Sequence, residues 1–218
     1  MKYRSLAPLG TAVVALAAVI LAAGLFQVVT VYLWNFSLRD HAAGMGLARA
    51  DALRMLVMRP IVYVAMASTL VFVFLATRNL AVIGPARPTF APGMAVVWFF
   101  IPIANVLMIH QVMTALWRES QPTPSKKVGV APDFSVPLVT AWWATLAGGV
   151  FFSLVINNVR LMEPWAFVAR NFTQVAINLA AGVCFIAIVR GIVRRQREQW
   201  IDLERRGAVP QPTADALR

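Results

Sequence analysis

Two histidines, one cysteine and nine carboxylates are all that this 218-residue chain offers for acid–base, nucleophilic or metal chemistry. Asp40, Asp51, Glu119, Asp133 and Glu163 fall in connections or at the ends of apolar blocks, so paired-carboxylate catalysis has no seat. An intramembrane carboxylate, which a proton-coupled carrier normally needs, is missing as well. No Gly-rich phosphate loop follows a strand, and no Ser-His-Asp set converges. Cys184 stands alone inside the last apolar block and reads as a small buried apolar residue. The expectation is a chain that is not an enzyme and carries no cofactor or metal. A haem or quinone protein is a remote alternative, with His110 and one of nine methionines as axial ligands, since His41 lies in a surface segment.

The remaining candidates are polar groups in unusual places. Pro102 and Asn105 sit in the middle of an apolar block. Proline removes a donor and frees a carbonyl, which an asparagine three residues later can bond, giving a stapled kink. Unwound, the same segment would line a substrate or ion site. His110, Gln111, Thr114 and Arg118 follow on one helical stripe. That stripe is either a packing face with Arg118 snorkelling to the interface, or a ligand path. Arg190, Arg194, Arg195 and Arg197 cluster just past the last apolar block, where anionic lipid or a protein partner would meet them.

The elements that position these groups follow from the apolar excess. Apolar residues make up 60% of the chain and charged residues 13%, against roughly 45–50% and about 25% in a soluble domain. They fall in five blocks, about Leu6–Trp34, Leu56–Thr77, Gly93–Trp117, Val136–Val159 and Phe172–Val189. A membrane-spanning helix needs about 20 such residues. The first block is too long for a signal-peptide core and reads as an uncleaved helix.

The fold class expected is an all-α integral membrane bundle of five hydrophobic helices, the third kinked or re-entrant at Pro102. An amphipathic segment over 38–55 and a basic C-terminal helix running to about 206 accompany it. One domain covers 1–206, and 207–218 read as disordered. Thr145, Gly148 and Gly149, with Ala176 and Ala180, suit close packing of blocks four and five, with Asn157 and Gln174 bonding across the pair. Trp117, Trp142, Trp143 and Trp200 suit an aromatic belt.

The net charge of +11 comes from 20 Lys+Arg against 9 Asp+Glu. These charges lie between apolar blocks and in the terminal tail, which points to topology and anionic lipid rather than nucleic acid. Five crossings put 14 of the 20 on the side of the C-terminus and 6 on the side of the N-terminus. A re-entrant third block gives the same split with both termini together. Either way the C-terminus is cytoplasmic, and the side of the N-terminus stays open.

Residues 78–120 resemble a bacterial membrane family known as domain of unknown function 4328. The resemblance rests on Arg78-Asn79-Leu80, Phe90-x-Pro92-Gly93, Val97-Trp98-Phe99-Phe100, Ile101-Pro102-x-x-Asn105, Gln111 and Leu116-Trp117-Arg118-x-Ser120. Ala141-Trp142-Trp143-Ala144 and the final Arg-x-x-x-Arg-Arg-Gln extend it over roughly residues 55–197. His110 departs from the family pattern. The resemblance implies a multi-span protein of the bacterial inner membrane and names no activity.

The functional expectation is a non-catalytic accessory, assembly or scaffold subunit. It would bind a protein partner, or a second copy of itself, together with anionic lipid. The alternative is a small transporter or channel-like protein using the Pro102–Asn105 break and the His110/Gln111 stripe.

Overall fold

Proline decides where most of the helices begin. The computed structural model describes residues 3–33, 41–83, 88–121, 136–157 and 164–207, with the side chains of 41–45, 47, 48, 102–105, 157 and 164 outside that set. The elements are α1 (Ala7–Tyr32), α2 (His41–Ile83), α3 (Pro92–Val97), α4 (Pro102–Glu119), α5 (Pro137–Asn157) and α6 (Pro164–Arg205). Each of α3 to α6 starts on its proline. The fixed φ of proline suits the first helical position, where its missing N–H would be unpaired anyway. The residue before a proline is pushed to extended backbone, and Ala91 (φ −64°, ψ 143°) and Ile101 (φ −92°, ψ 107°) comply.

This corrects the reading of the third block. Pro102 does not kink a continuous helix; it opens a new one. Α turn over residues 98–100 ends α3, with Phe99 N–H bonded to the Val96 carbonyl (3.1 Å) and Phe100 N–H to that of Val97 (3.0 Å). As a first-turn residue Pro102 frees no carbonyl one turn back, so the kink that Asn105 was expected to staple does not exist. The Asn105 side chain itself lies outside the described residues.

The block also returns to where it started. Thr89, just before α3, donates its backbone N–H to Glu119 Oε1 at 3.0 Å, and its hydroxyl bonds the same carboxylate at the end of α4. A segment whose two flanks touch is a helix–turn–helix hairpin, not a fifth rod. Among the described residues, four helices are long and apolar enough to cross a membrane: Ala7–Tyr32, Arg49–Ile83, Pro137–Ile156 and Trp165–Arg205.

The 38–55 segment differs from expectation too. From His41 onward it is continuous with block two, since α2 runs unbroken through Pro60 to Ile83. The last helix ends close to where expected but begins at Pro164, eight residues before block five. At ~1.5 Å per residue its 42 residues reach roughly 63 Å, about twice the ~30 Å hydrocarbon core.

The fold comprises two compact units. The first contains Met1–Val14, Ala67–Thr140 and Ile186–Arg218. Its core is Phe72 and Leu80 of α2, Met113 and Leu116 of α4, and Ile188 and Ile192 of α6, each at most 2% exposed. Here the start of α1 runs antiparallel to α6: Tyr3 stacks on Trp200 with centroids 4.7 Å apart, and Gly10 faces Val193.

The second unit contains Ala15–Met66 and Ala141–Phe185. Again α1 and α6 are antiparallel, Gly24 lying against Val175 and Gly182 against Leu21. Gly149 brings α5 onto Ile177 of α6, as the small-residue pattern suggested, while Gly148 faces open space. Trp142 is no belt residue: it is buried and stacks on Phe185 at 5.9 Å. Gln174 bonds Asn178 on its own helix (3.1 Å), and Thr145 and Thr173 bond carbonyls of their own preceding turns. These three side chains are thus satisfied on their own helices, and the Asn157 side chain lies outside the described residues. Phe151 (68% exposed) and Leu154 (63%) point outward, the inverse of a water-soluble surface.

The glycines separate packing from propensity. A Cβ at Gly182 would lie 2.5 Å from Leu21 Cδ2 and 3.0 Å from its Cγ. Overpacking of this kind costs about 1–3 kcal/mol, which exceeds the ~0.5–1 kcal/mol an alanine gains over glycine in a helix. Gly182→Ala is therefore expected to lower the melting temperature in detergent, and Gly148→Ala to leave it level or raise it slightly.

Candidate functional site

Four separated stretches of the first unit meet on one buried polar pair. Asn79, 2% exposed near the end of α2, binds the backbone of Arg4 twice. Arg4 N–H donates to Asn79 Oδ1 (3.1 Å), and Asn79 Nδ2 donates to the Arg4 carbonyl (2.8 Å). The same amide nitrogen reaches Gln196 Oε1 at 3.3 Å. Gln196, fully buried on α6, passes its own amide hydrogens to the Ala76 carbonyl and to Ser120 Oγ, each at 3.1 Å. Asn and Gln carry both donors and an acceptor, so they can join chain segments whose backbone groups would otherwise lack partners.

A second junction lies beside it. Α Cβ at Gly191 would come within 2.8 Å of Trp117 Cη2, so only bare backbone lets the indole of α4 lie flat against α6. One turn on, the Arg195 guanidinium covers that ring at 3.8 Å from its centroid, and its Nη1 donates to the Trp117 carbonyl at 3.1 Å. A half-buried cation–π contact of this type is worth about 1 kcal/mol. Because Trp117 meets Gly191 while Ser120 meets Gln196, α4 runs parallel to α6, and its Pro102 end points back toward the apolar stretch of α6.

The expected stripe on α4 is real but buried. His110 (1% exposed), Gln111 (3%) and Thr114 (0%) are all packed inside the first unit. His110 Nε2 sits 3.3 Å from Thr140 Oγ1 on the first turn of α5. Gln111 Oε1 and Thr114 Oγ1 have no hydrogen-bond partner among the described residues. Of the other expected pair, Pro102 supplies the helix start and the Asn105 side chain is outside the described residues.

The four arginines of α6 divide. Arg195 turns inward onto Trp117, whereas Arg190, Arg194 and Arg197 line an open groove of about 280 Å³ against the first turns of α1. Consecutive helix positions are ~100° apart, so Arg194 and Arg195 cannot share a face. Near the mouth of the groove, burial raises the Tyr3 phenol above its usual pKa of 10.0, and the nearby Arg197 opposes that rise.

Asn79, Ser120 and Gln196 were visible in the sequence as parts of recurring motifs. What the motifs did not reveal is that they are one network. The test is thermodynamic coupling. Asn79→Ala and Gln196→Ala each strand buried partners and should cost on the order of 2–3 kcal/mol, while Ser120→Ala removes one bond and should cost ~1 kcal/mol. The Asn79→Ala/Gln196→Ala double variant should lose less than the sum, by ~0.5 kcal/mol or more, in thermal or denaturant melts.

The family model described as a domain of unknown function (DUF4328) matches residues 43–197. No curated protein and no solved structure matches the chain. The match spans well over half of the sequence and takes in Asn79, Ser120, Gln196, Trp117, Gly191 and Arg195, and on that extent this protein belongs to the DUF4328 family.

Proposed function

We propose that this protein is a non-catalytic accessory or scaffold subunit of the bacterial inner membrane, binding a protein partner and anionic lipid. One observation carries the reading. Several residues on which the family resemblance rests bind one another: Asn79, Ser120 and Gln196 in one network, Trp117 and Arg195 in the junction beside it. Residues that hold helices in register in this way build a rigid platform rather than a reaction centre. The outward faces are left apolar, available to lipid or to other helices.

Two contacts support a topology for this reading. The Thr89–Glu119 bond closes the α3–α4 hairpin on itself, so that block enters and leaves on one side. The Tyr3–Trp200 stack brings the N-terminal segment to the C-terminal end of α6. Four crossings with a re-entrant hairpin accommodate both. The hairpin tip carries exposed Phe100 (65%), Val106 (49%) and Leu107 (47%), which suits insertion into lipid. Both termini then share the side holding 14 of the 20 Lys+Arg, and the positive-inside rule makes that side cytoplasmic.

Α second reading, a small transporter using the stripe on α4, draws on the unpartnered oxygens of Gln111 and Thr114. Polar atoms at membrane depth without partners are places where water or a ligand can bind. Native mass spectrometry of the tagged protein, gently extracted from its own membrane, separates the two. Α stoichiometric co-purifying protein is the result expected. Α bare chain, with single cysteines at positions 105 and 111 labelled by a water-soluble maleimide, would overturn the scaffold reading in favour of transport.

A further inference from the structure

The groove between α1 and α6 is charged on one wall only. Arg190, Arg194 and Arg197 stand at spacings of four and three, which aligns them on one stripe of α6. Among the described residues, Glu198 is the single carboxylate within 4 Å of any of them, at 3.7 Å from Arg194 Nε, and that pair is open to solvent. Three guanidinium groups thus face one space with at most one countercharge. Each can offer a planar fork of donors, the geometry that binds phosphate oxygens bidentately.

The rest of the groove is apolar apart from Thr11, whose hydroxyl donates to the Ala7 carbonyl of its own helix at 2.9 Å. Val14 of α1 and Val189 and Val193 of α6 form its walls. Gly10 narrows it, since the bare backbone lies so close to α6 that a Cβ would sit 2.7 Å from Val193 Cγ2. Arg190 is the first charged residue after the apolar run that ends at Val189. On the reading of α6 given above, the groove therefore opens where hydrocarbon gives way to headgroups. Its volume of about 280 Å³ is at the small end of sites that hold small ligands, roughly 300–1,000 Å³. A headgroup fits; a whole lipid must leave its tails outside, in the bilayer.

We propose that this groove is a headgroup site for one molecule of an anionic glycerophospholipid. The phosphodiester is held by Arg190, Arg194 and Arg197, and the start of an acyl chain lies along Val14, Val189 and Val193. Arg195, committed to Trp117, takes no part. The site differs from general attraction of a basic tail to a charged surface in having a stoichiometry and a second wall. It rests on the reading of α6 as leaving the bilayer at Arg190, and it stands apart from the protein-partner half of that reading.

The test is native mass spectrometry of the full-length protein in detergent, titrated with phosphatidylglycerol or phosphatidylcholine. One phosphatidylglycerol should bind per chain, at least tenfold more tightly than phosphatidylcholine. The triple variant Arg190→Gln/Arg194→Gln/Arg197→Gln should lose that preference, and Arg205→Gln/Arg206→Gln should keep it. Thr11→Trp fills the groove from α1 without changing charge; it should also abolish the single bound lipid, and it serves if the triple variant fails to fold. Loss of binding in the Arg205→Gln/Arg206→Gln variant to the same extent as in the triple variant, or retention in Thr11→Trp, would mean diffuse attraction and overturn the site. Displacement of the lipid by millimolar inorganic phosphate would overturn it in favour of a free-anion site. Absence of lipid from a wild-type protein that still brings down its partner removes this proposal alone. Absence of the partner with lipid retained removes only the accessory reading.

Discussion

A polar side chain withdrawn from water must find every partner within the protein, and the first unit is arranged around two that do. Asn79 and Gln196 come from helices more than a hundred residues apart in sequence, yet each depends on the other. Between them they fix the N-terminal segment through Arg4, the end of α2 through Ala76, and the end of α4 through Ser120. Shifting any of these by one residue would rotate its partner atoms out of reach and strand a buried amide. The apolar contacts around them, such as Phe72 and Ile192, have no such directional demand. Hydrophobic burial draws these helices together, and the amides choose their register.

The neighbouring junction makes the same point with different chemistry. An indole can lie on a helix only where the backbone is bare, and Gly191 provides that place one turn before Arg195. The guanidinium then satisfies the Trp117 carbonyl near the end of α4, a group that the helix itself leaves unpaired. Its neighbour in sequence, Arg194, lines the open groove against α1 and pairs with Glu198. Two adjacent arginines thus have unrelated duties, because a helix turns each residue ~100° from the last.

Much of the architecture was legible before any coordinates. Long apolar blocks identify the four spanning helices, and the length of the final one follows from its unbroken run of helix formers through the arginine cluster. The third block was harder because apolarity does not say whether a chain crosses a bilayer or turns back. Proline held the clue. Pro92, Pro102, Pro137 and Pro164 all open helices, so a proline beside an extended Ile101 was a boundary rather than a bend. The candidate site was only half legible. The stripe of His110, Gln111 and Thr114 can be read from spacing, but its full burial depends on helices far away in sequence. Likewise a run of arginines announces charge without saying which member meets a tryptophan; Gly191, one turn earlier, was the residue that could have told.

The antiparallel fit of α1 on α6 joins two helices that are far apart in the sequence. Tyr3 meets Trp200 and Gly10 meets Val193 in one unit, while Leu21 meets Gly182 in the other. During synthesis α1 is made well before α6, and its partner on that side is missing until residues 164–205 have followed. Nothing encoded nearby can shield its glycines in the meantime, nor can Arg4 reach Gln196's neighbour Asn79 in its final register before α6 is in place. Completion of this fold is therefore a late event in the life of the nascent chain, and a truncated product would be left with its first helix undocked.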